Sequence, residues 1–200
     1  MVICEHIEKN SFGLLTALLP GDSVPTAVHL PFLVAQTAVD AQDTATFLLE
    51  THLAAANPLA KLPEDHPVLV VFAGPHAYIS PSSYSDETKS VPTWNYTSVH
   101  VQGRLKRVSS TSQSAGAFMR RLIAKYDPDW VPVHDDVVSP RYKDAMMKGI
   151  VVWNIIVNKV EAQWKLSQNK SAAEVNAIAA RLREGGNPDV AALMVDHTMR

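Results

Sequence analysis

The chain has 200 residues, 46% hydrophobic and 19% charged, with a formal net charge of −2. That is room for one domain with a full core, or one domain plus a small appendage, and it excludes extended disorder and any strong field steering the chain onto nucleic acid. Cys4 is the only cysteine, so no internal disulfide is expected, which fits a reducing cytoplasm.

The N-terminal MVICEHIEKN lacks a charged region followed by an apolar core, so no signal peptide is expected. The longest apolar run, Gly149–Val157, is broken by Asn154 and falls far short of the ~20 residues that span a bilayer, so no membrane segment is expected. Ser11–Leu19 reads as a strand and Pro20-Gly21-Asp22 as its turn. Val24–Leu30 alternates as a hairpin partner that Pro31 ends or marks as an edge. Thr44–Ala56 is helix by length and strand by its first half, and Asn57-Pro58 closes it.

His66–Ala73 is a valine-rich buried strand, and His76–Ser80 a short strand after a break at Gly74-Pro75. Gly74 to Tyr96 then packs three prolines, three of the five tyrosines, a tryptophan and many hydroxyls around Lys89. Aromatic faces, short hydroxyl donors and one cation on a turn-rich loop suit a flat ligand carrying a phosphate. Trp94–Val108 alternates over a long span, with Val99, Val101 and Leu105 on one face, His100, Gln102, Arg104 and Lys106 on the other, and Gly103 as a bulge.

Ser114–Tyr126 places Ala117, Phe118, Leu122 and Ile123 at helical spacing, with Arg120, Arg121 and Lys125 outward. Pro140–Lys148 reads as a second helix, and Gly149–Trp164 as a long strand or a strand pair. Ser171 and Glu174 form a capping box opening a helix to Glu184, which Gly185-Gly186 ends. Pro188–His197 is expected to add a helical turn or two. Six or seven strands without regular helix alternation argue against a Rossmann sheet and for a small antiparallel barrel with flanking helices.

The segments NSFGLL (Asn10–Leu15), AVHLP (Ala27–Pro31), HLAAANP (His52–Pro58), VFAGPHAYISPSSY (Val71–Tyr84), VPTWNYTSVHVQGR (Val91–Arg104) and WKLSQNKS (Trp164–Ser171) resemble, in order, those of the PaiB-type FMN-binding family. The resemblance implies an α+β, mainly β FMN-binding split β-barrel and makes Thr46–Leu53 a strand. It implies a split-barrel domain over 1–170, with a helical insertion around 111–148, and a C-terminal helical segment over 171–200 packing on it. It also implies a cytoplasmic homodimer with FMN at the subunit interface, and the negative transcriptional regulation ascribed to the founding member. The chain departs from the family pattern at Ser83, where an aromatic often stands, and at Ala162-Gln163, where a Gly-Lys pair often stands. It also has about ten fewer residues ahead of the first strand.

Ser80, Ser82, Ser83 and Tyr84 form a polar turn that, with the resemblance, reads as a phosphate or ribityl contact. Lys89 and Lys165 are the expected phosphate cations, with Arg104 a third, although each could equally be a solvated surface charge. Trp94, Asn95 and Tyr96 offer aromatic cover and an amide for a flavin ring, or an interface anchor. Backbone groups of His29 and Leu30 could meet the ring edge. Lys165, Ser167, Gln168 and Asn169 form a polar loop able to close over the site, or a strand-to-helix cap.

No metal motif is present, and no catalytic residue is evident. An axial histidine for haem (His52, His76, His100 or His197) is the alternative cofactor reading. A flavin reductase or oxidase is the alternative function. Arg104, Lys106, Arg107, Arg120, Arg121 and Lys125 are a candidate basic patch for direct DNA binding, but Asp127 and Asp129 follow them and the cluster reads as a solvated face.

Overall fold

The computed structural model describes residues 2–36, 47–84, 87–109 and 113–198. Six strands close a barrel in the order β1-β2-β3-β6-β5-β4: β1 (Phe12–Ala17), β2 (Thr26–Gln36), β3 (Phe47–Ala54), β4 (Pro67–Ile79), β5 (Thr93–Val108) and β6 (Ile150–Lys165). The helices are α1 (Val2–Lys9), α2 (Gln113–Tyr126), α3 (Pro140–Met147), α4 (Ala172–Glu184) and α5 (Pro188–Thr198). The mainly β barrel with flanking helices is therefore the architecture the sequence implies.

The chain divides into two compact units, Met1–Phe72 with His100–Val160, and Ala73–Val99 with Glu161–Arg200. In the first, Phe32, Leu49, Val70, Phe72, Val101 and Ile155 are fully buried. Leu33, Val152 and the α2 residues Ala115, Phe118 and Leu122 form a second cluster there. In the second unit, Ala77, Ile79 and Leu166 pack with Val175, Ile178 and Leu182 of α4 and Val190, Ala191 and Met194 of α5.

Several expectations are corrected. Pro31 does not end β2: the strand pairs with β1 from Thr26 to Pro31 and with β3 from Phe32 onward. The missing N–H falls where the strand changes partner, so no ladder bond is lost. Gly74-Pro75 does not split β4 either. Val68, Val70, Phe72 and Gly74 are buried, then Ala77 and Ile79, so the alternation shifts by one residue within a continuous strand. Gly103 is not a bulge, because alternation in β5 runs through it unbroken. A Cβ there would lie 2.5 Å from the Ile156 carbonyl oxygen, so the glycine serves close backbone approach.

In α2 the buried stripe is Ala115, Phe118 and Leu122, while Ala117 is exposed. β6 is one strand, not a pair, and α5 runs 11 residues instead of a turn or two. α1 has no counterpart in the sequence reading. The capping box of α4 is present in both halves, and Gly186 takes a left-handed φ of 79° just after the helix. Of the expected strand Thr46–Leu53, Phe47 onward lies in β3; Thr46 and the earlier Thr44 and Ala45 lie outside the described residues.

α1 is anchored by His6, whose ring Nε2 lies 3.3 Å from the Phe72 carbonyl oxygen. Burial holds the His6 pKa below its ordinary value, against the opposing pull of that hydrogen bond; burial does the same to His52. The unfolded state, with histidines near 6.5, then binds more protons than the folded state as pH falls. The contribution of these two histidines is flat well above pH ~6.5 and declines as pH falls through that value toward the depressed folded ones. Thermal melts at about pH 7.5 and 5.5 are expected to show a lower Tm at the acid end, and His6→Gln with His52→Gln to flatten that difference.

Candidate functional site

The second unit holds a pocket of about 280 Å³ at the end of β6. It forms because β6 does not run straight into α4. Leu166 turns inward into the apolar cluster, and Ser167 takes a left-handed backbone with φ of 62°. The chain therefore reverses between Lys165 and Lys170, and both line the pocket with Lys89. No carboxylate of the described residues lines it. Three lysines therefore line one pocket in a chain of net charge −2.

The Lys165 ammonium donates to Thr93 Oγ1 at 2.5 Å. The Lys170 ammonium lies 4.4 Å from the Tyr84 ring centroid, a cation–π contact that holds it over the aromatic face. Asn95 is fully buried beneath the pocket; its Nδ2 donates to Ser167 Oγ at 2.9 Å and to Met194 Sδ at 3.2 Å. The Ser167 hydroxyl donates back to Asn95 Oδ1 at 3.2 Å. Gln168 folds onto its own loop, accepting from Leu166 N at 2.8 Å and donating to the Trp164 carbonyl.

Of the residues expected from sequence, the structure brings together Tyr84, Lys89, Asn95, Lys165, Ser167, Gln168 and Asn169 around this pocket. Ser80, Ser82 and Ser83 sit instead in a short 3₁₀ turn that uses its own groups. Ser80 Oγ accepts from Ser82 N, Ser83 N donates to Ser80 O, and the Tyr84 amide donates to Pro81 O. Arg181 of α4 donates to the Ser82 carbonyl. Trp94 is 52% exposed and forms an aromatic group with His76 and Tyr78, at ring distances of 6.1 and 6.0 Å. Tyr96 is half-buried.

His29 and Leu30 belong to the first unit. His29 stacks on Phe12 at 5.7 Å, and Leu30 is buried. Arg104, the third candidate cation, is also there, bonded to Asp65. Sequence reasoning missed Lys170, Ser90 and Thr93. Lys170 was visible as the next residue of the SQNK run, whereas Thr93 gains its place only through its contact with Lys165.

A larger cleft of about 480 Å³ in the first unit sets Glu64 with Arg107 and Lys148. Arg107 is already engaged by the Ala60 carbonyl at 2.9 Å and the Trp153 ring at 5.3 Å. Its charges are mixed where those of the lysine pocket are of one sign. Of the histidines considered for haem, His52 and His100 belong to the first unit and His76 and His197 to the second. His52 packs edge-on against Phe118, and its Nδ1 has no hydrogen-bond partner among the described residues. Among those residues no cluster of three histidine, cysteine or acidic side chains is placed to hold a metal. No helix among them is long and apolar enough to cross a membrane.

The lysine pocket fits part of an FMN molecule. Its donors and charge suit a phosphate monoester, but 280 Å³ lies below the ~300–1,000 Å³ of pockets that enclose a whole ligand of that size. FMN supplies redox chemistry on its ring; the residues here can bind its phosphate tail and leave the ring outside the pocket.

Residues 1–159 match the family described as "Putative FMN-binding domain". The chain is 34% identical over 199 residues to Protease synthase and sporulation protein PAI 2 of Bacillus subtilis (strain 168), covering 97% of this chain and 90% of that one. It is 25% identical to an uncharacterized protein of Emericella nidulans, over 88% of this chain and 83% of the relative. Among solved structures, it resembles the FAD and haem binding protein from Mycobacterium smegmatis with a TM-score of 0.58, at 12% identity over 82% of this chain and 70% of that one. It resembles the flavocytochrome Anf3 from Azotobacter vinelandii with a TM-score of 0.55, at 14% identity over 80% and 66%. Those two likenesses are of fold. By its sequence match across most of its length, the chain belongs to the family of putative FMN-binding domains.

Proposed function

We propose that this protein is an FMN-binding module whose anion pocket holds the flavin phosphate, with regulatory rather than turnover function, as in the PaiB-type resemblance. The observation that carries the reading is the convergence of Lys89, Lys165 and Lys170 on a pocket with no described carboxylate. In this reading Trp94 covers one face of the ring, and Tyr96 contributes to the ring site. Residues 1–170 carry the flavin-binding barrel, and 171–200 carry the helices that support the pocket loop.

A homodimer belongs to the same proposal, because the pocket encloses only part of the ligand. The surface of β6 supports it. Most residues from Ile156 to Lys165 are exposed, which leaves that half of the strand accessible to a second chain.

Direct DNA binding finds less support. Arg120 pairs with Asp135 at 2.7 Å and Arg121 with Glu50 at 2.5 Å, so the α2 cations are largely neutralised within the protein. Regulation in this proposal runs through a protein partner.

Gel filtration with FMN, read by absorbance and light scattering, tests the reading. Flavin bands should travel with the protein at about twice the chain mass of 21.9 kDa. Flavin eluting entirely apart from the protein would remove the FMN reading, and a monomer mass would remove the dimer.

A further inference from the structure

We infer that Asn95 and Ser167 are positioning residues for the anion site: a buried amide–hydroxyl clasp that fixes the turn presenting Lys165 and Lys170. The inference rests on the phosphate reading above. It assigns these two residues a role other than ligand contact.

Three observations carry it. Ser167 is a non-glycine residue in the left-handed region, φ 62°, a conformation that persists only where its surroundings enforce it. What enforces it is Asn95, which exchanges two hydrogen bonds with the Ser167 side chain, 2.9 Å from Nδ2 and 3.2 Å to Oδ1. Asn95 itself is fully buried, and a buried amide costs desolvation that an apolar residue would avoid. The amide supplies the grip on Ser167, together with the Met194 Sδ contact at 3.2 Å that ties the clasp to α5.

The rest of the turn is set by the same residue. Lys170 N donates to the Ser167 carbonyl at 3.0 Å, closing the loop five residues after Lys165. Both ammonium groups therefore meet one pocket without a change in backbone on binding, which is the preorganisation that raises affinity. A looser turn keeps the charges but separates them.

Ser167→Gly tests this because it splits strain from clasp. Glycine accepts a left-handed φ without strain, so the backbone loses nothing, while the hydroxyl disappears. FMN and riboflavin affinities are measured by fluorescence titration on the full chain of wild type, Ser167→Gly and Ser167→Ala. The expected result is that wild type prefers FMN to riboflavin, that this preference falls about tenfold in both variants, and that riboflavin affinity stays put. An unchanged FMN-to-riboflavin ratio in Ser167→Gly overturns the positioning role, even if both affinities drop, since a merely structural residue lowers the two together. A wild type without preference for FMN overturns the phosphate site itself, and the inference with it.

Discussion

Replacing Lys165 and Lys170 together by alanine is expected to weaken FMN binding by about 100-fold while riboflavin binding stays within about twofold. Hydrogen bonds to charged groups contribute ~1.5–3 kcal/mol each. Each 1.4 kcal/mol is tenfold in affinity, so two such losses reach about 100-fold even at the lower end. Riboflavin lacks the phosphate and makes neither contact. The protein itself should barely notice. Lys165 is exposed, and Lys170 gives up only a cation–π contact with Tyr84, about 0.5–1 kcal/mol at exposed sites. At ~2–4 °C per kcal/mol for a chain of this size, Tm should move by no more than about 4 °C. The wild-type preference for FMN should also shrink as salt is raised, because the cations are open to solvent on one side. FMN and riboflavin affinities falling in parallel would place the lysines under the ring, not the phosphate, and an unchanged FMN affinity would empty the pocket of its proposed role.

The barrel was legible where a strand is long and alternates regularly, as β5 does. Val99, Val101 and Leu105 against His100, Gln102, Arg104 and Lys106 mark the two faces of β5 in the sequence itself. Local chemistry was equally readable at Ser171 and Glu174, whose capping box depends only on residues three apart. The misreadings share a cause. Pro31, Gly74-Pro75 and Gly103 look like interruptions because their local preferences say so, yet each is absorbed into a continuous strand by the barrel around it. Pro31 sits where β2 exchanges one neighbour for another, a fact of barrel closure that no window of sequence contains.

The site divides along the same line. Residue types were visible: lysines, amides and hydroxyls crowd Gly74–Tyr96 and Trp164–Ser171. The division of labour among them was hidden. Asn95 and Ser167 lie 72 residues apart and are spent on each other, and the serines of Ser80–Ser83 are spent on their own turn. Lys170, omitted from the sequence-level site, stands at the pocket because Ser167 bends the chain back. A left-handed serine is not a propensity; it is imposed by Asn95.

Phe72→Ala is expected to be among the most damaging core truncations in the first unit, at about 3–5 kcal/mol, the range for phenylalanine truncation in a well-packed core. Phe72 has no exposed surface and meets Phe32 edge-on, ring centroids 5.3 Å apart. It also fills the space that Gly13 leaves by lacking a side chain: a Cβ on Gly13 would stand 2.6 Å from Phe72 Cε1. At ~2–4 °C per kcal/mol, Tm should fall by about 6–20 °C, a large share of a total stability of ~5–15 kcal/mol. Gly13→Ala alone should cost about 1–3 kcal/mol, because its methyl collides with the ring. The double variant carries the argument. With the ring gone, the methyl added by Gly13→Ala enters the cavity that Phe72→Ala opened, so the pair should be more stable than Phe72→Ala alone, with a coupling of about 1–3 kcal/mol. Urea melts of the four proteins measure that coupling. Strict additivity would mean that the barrel relaxes around Gly13 independently of Phe72, and that the glycine is there for the β1 backbone and not for the ring.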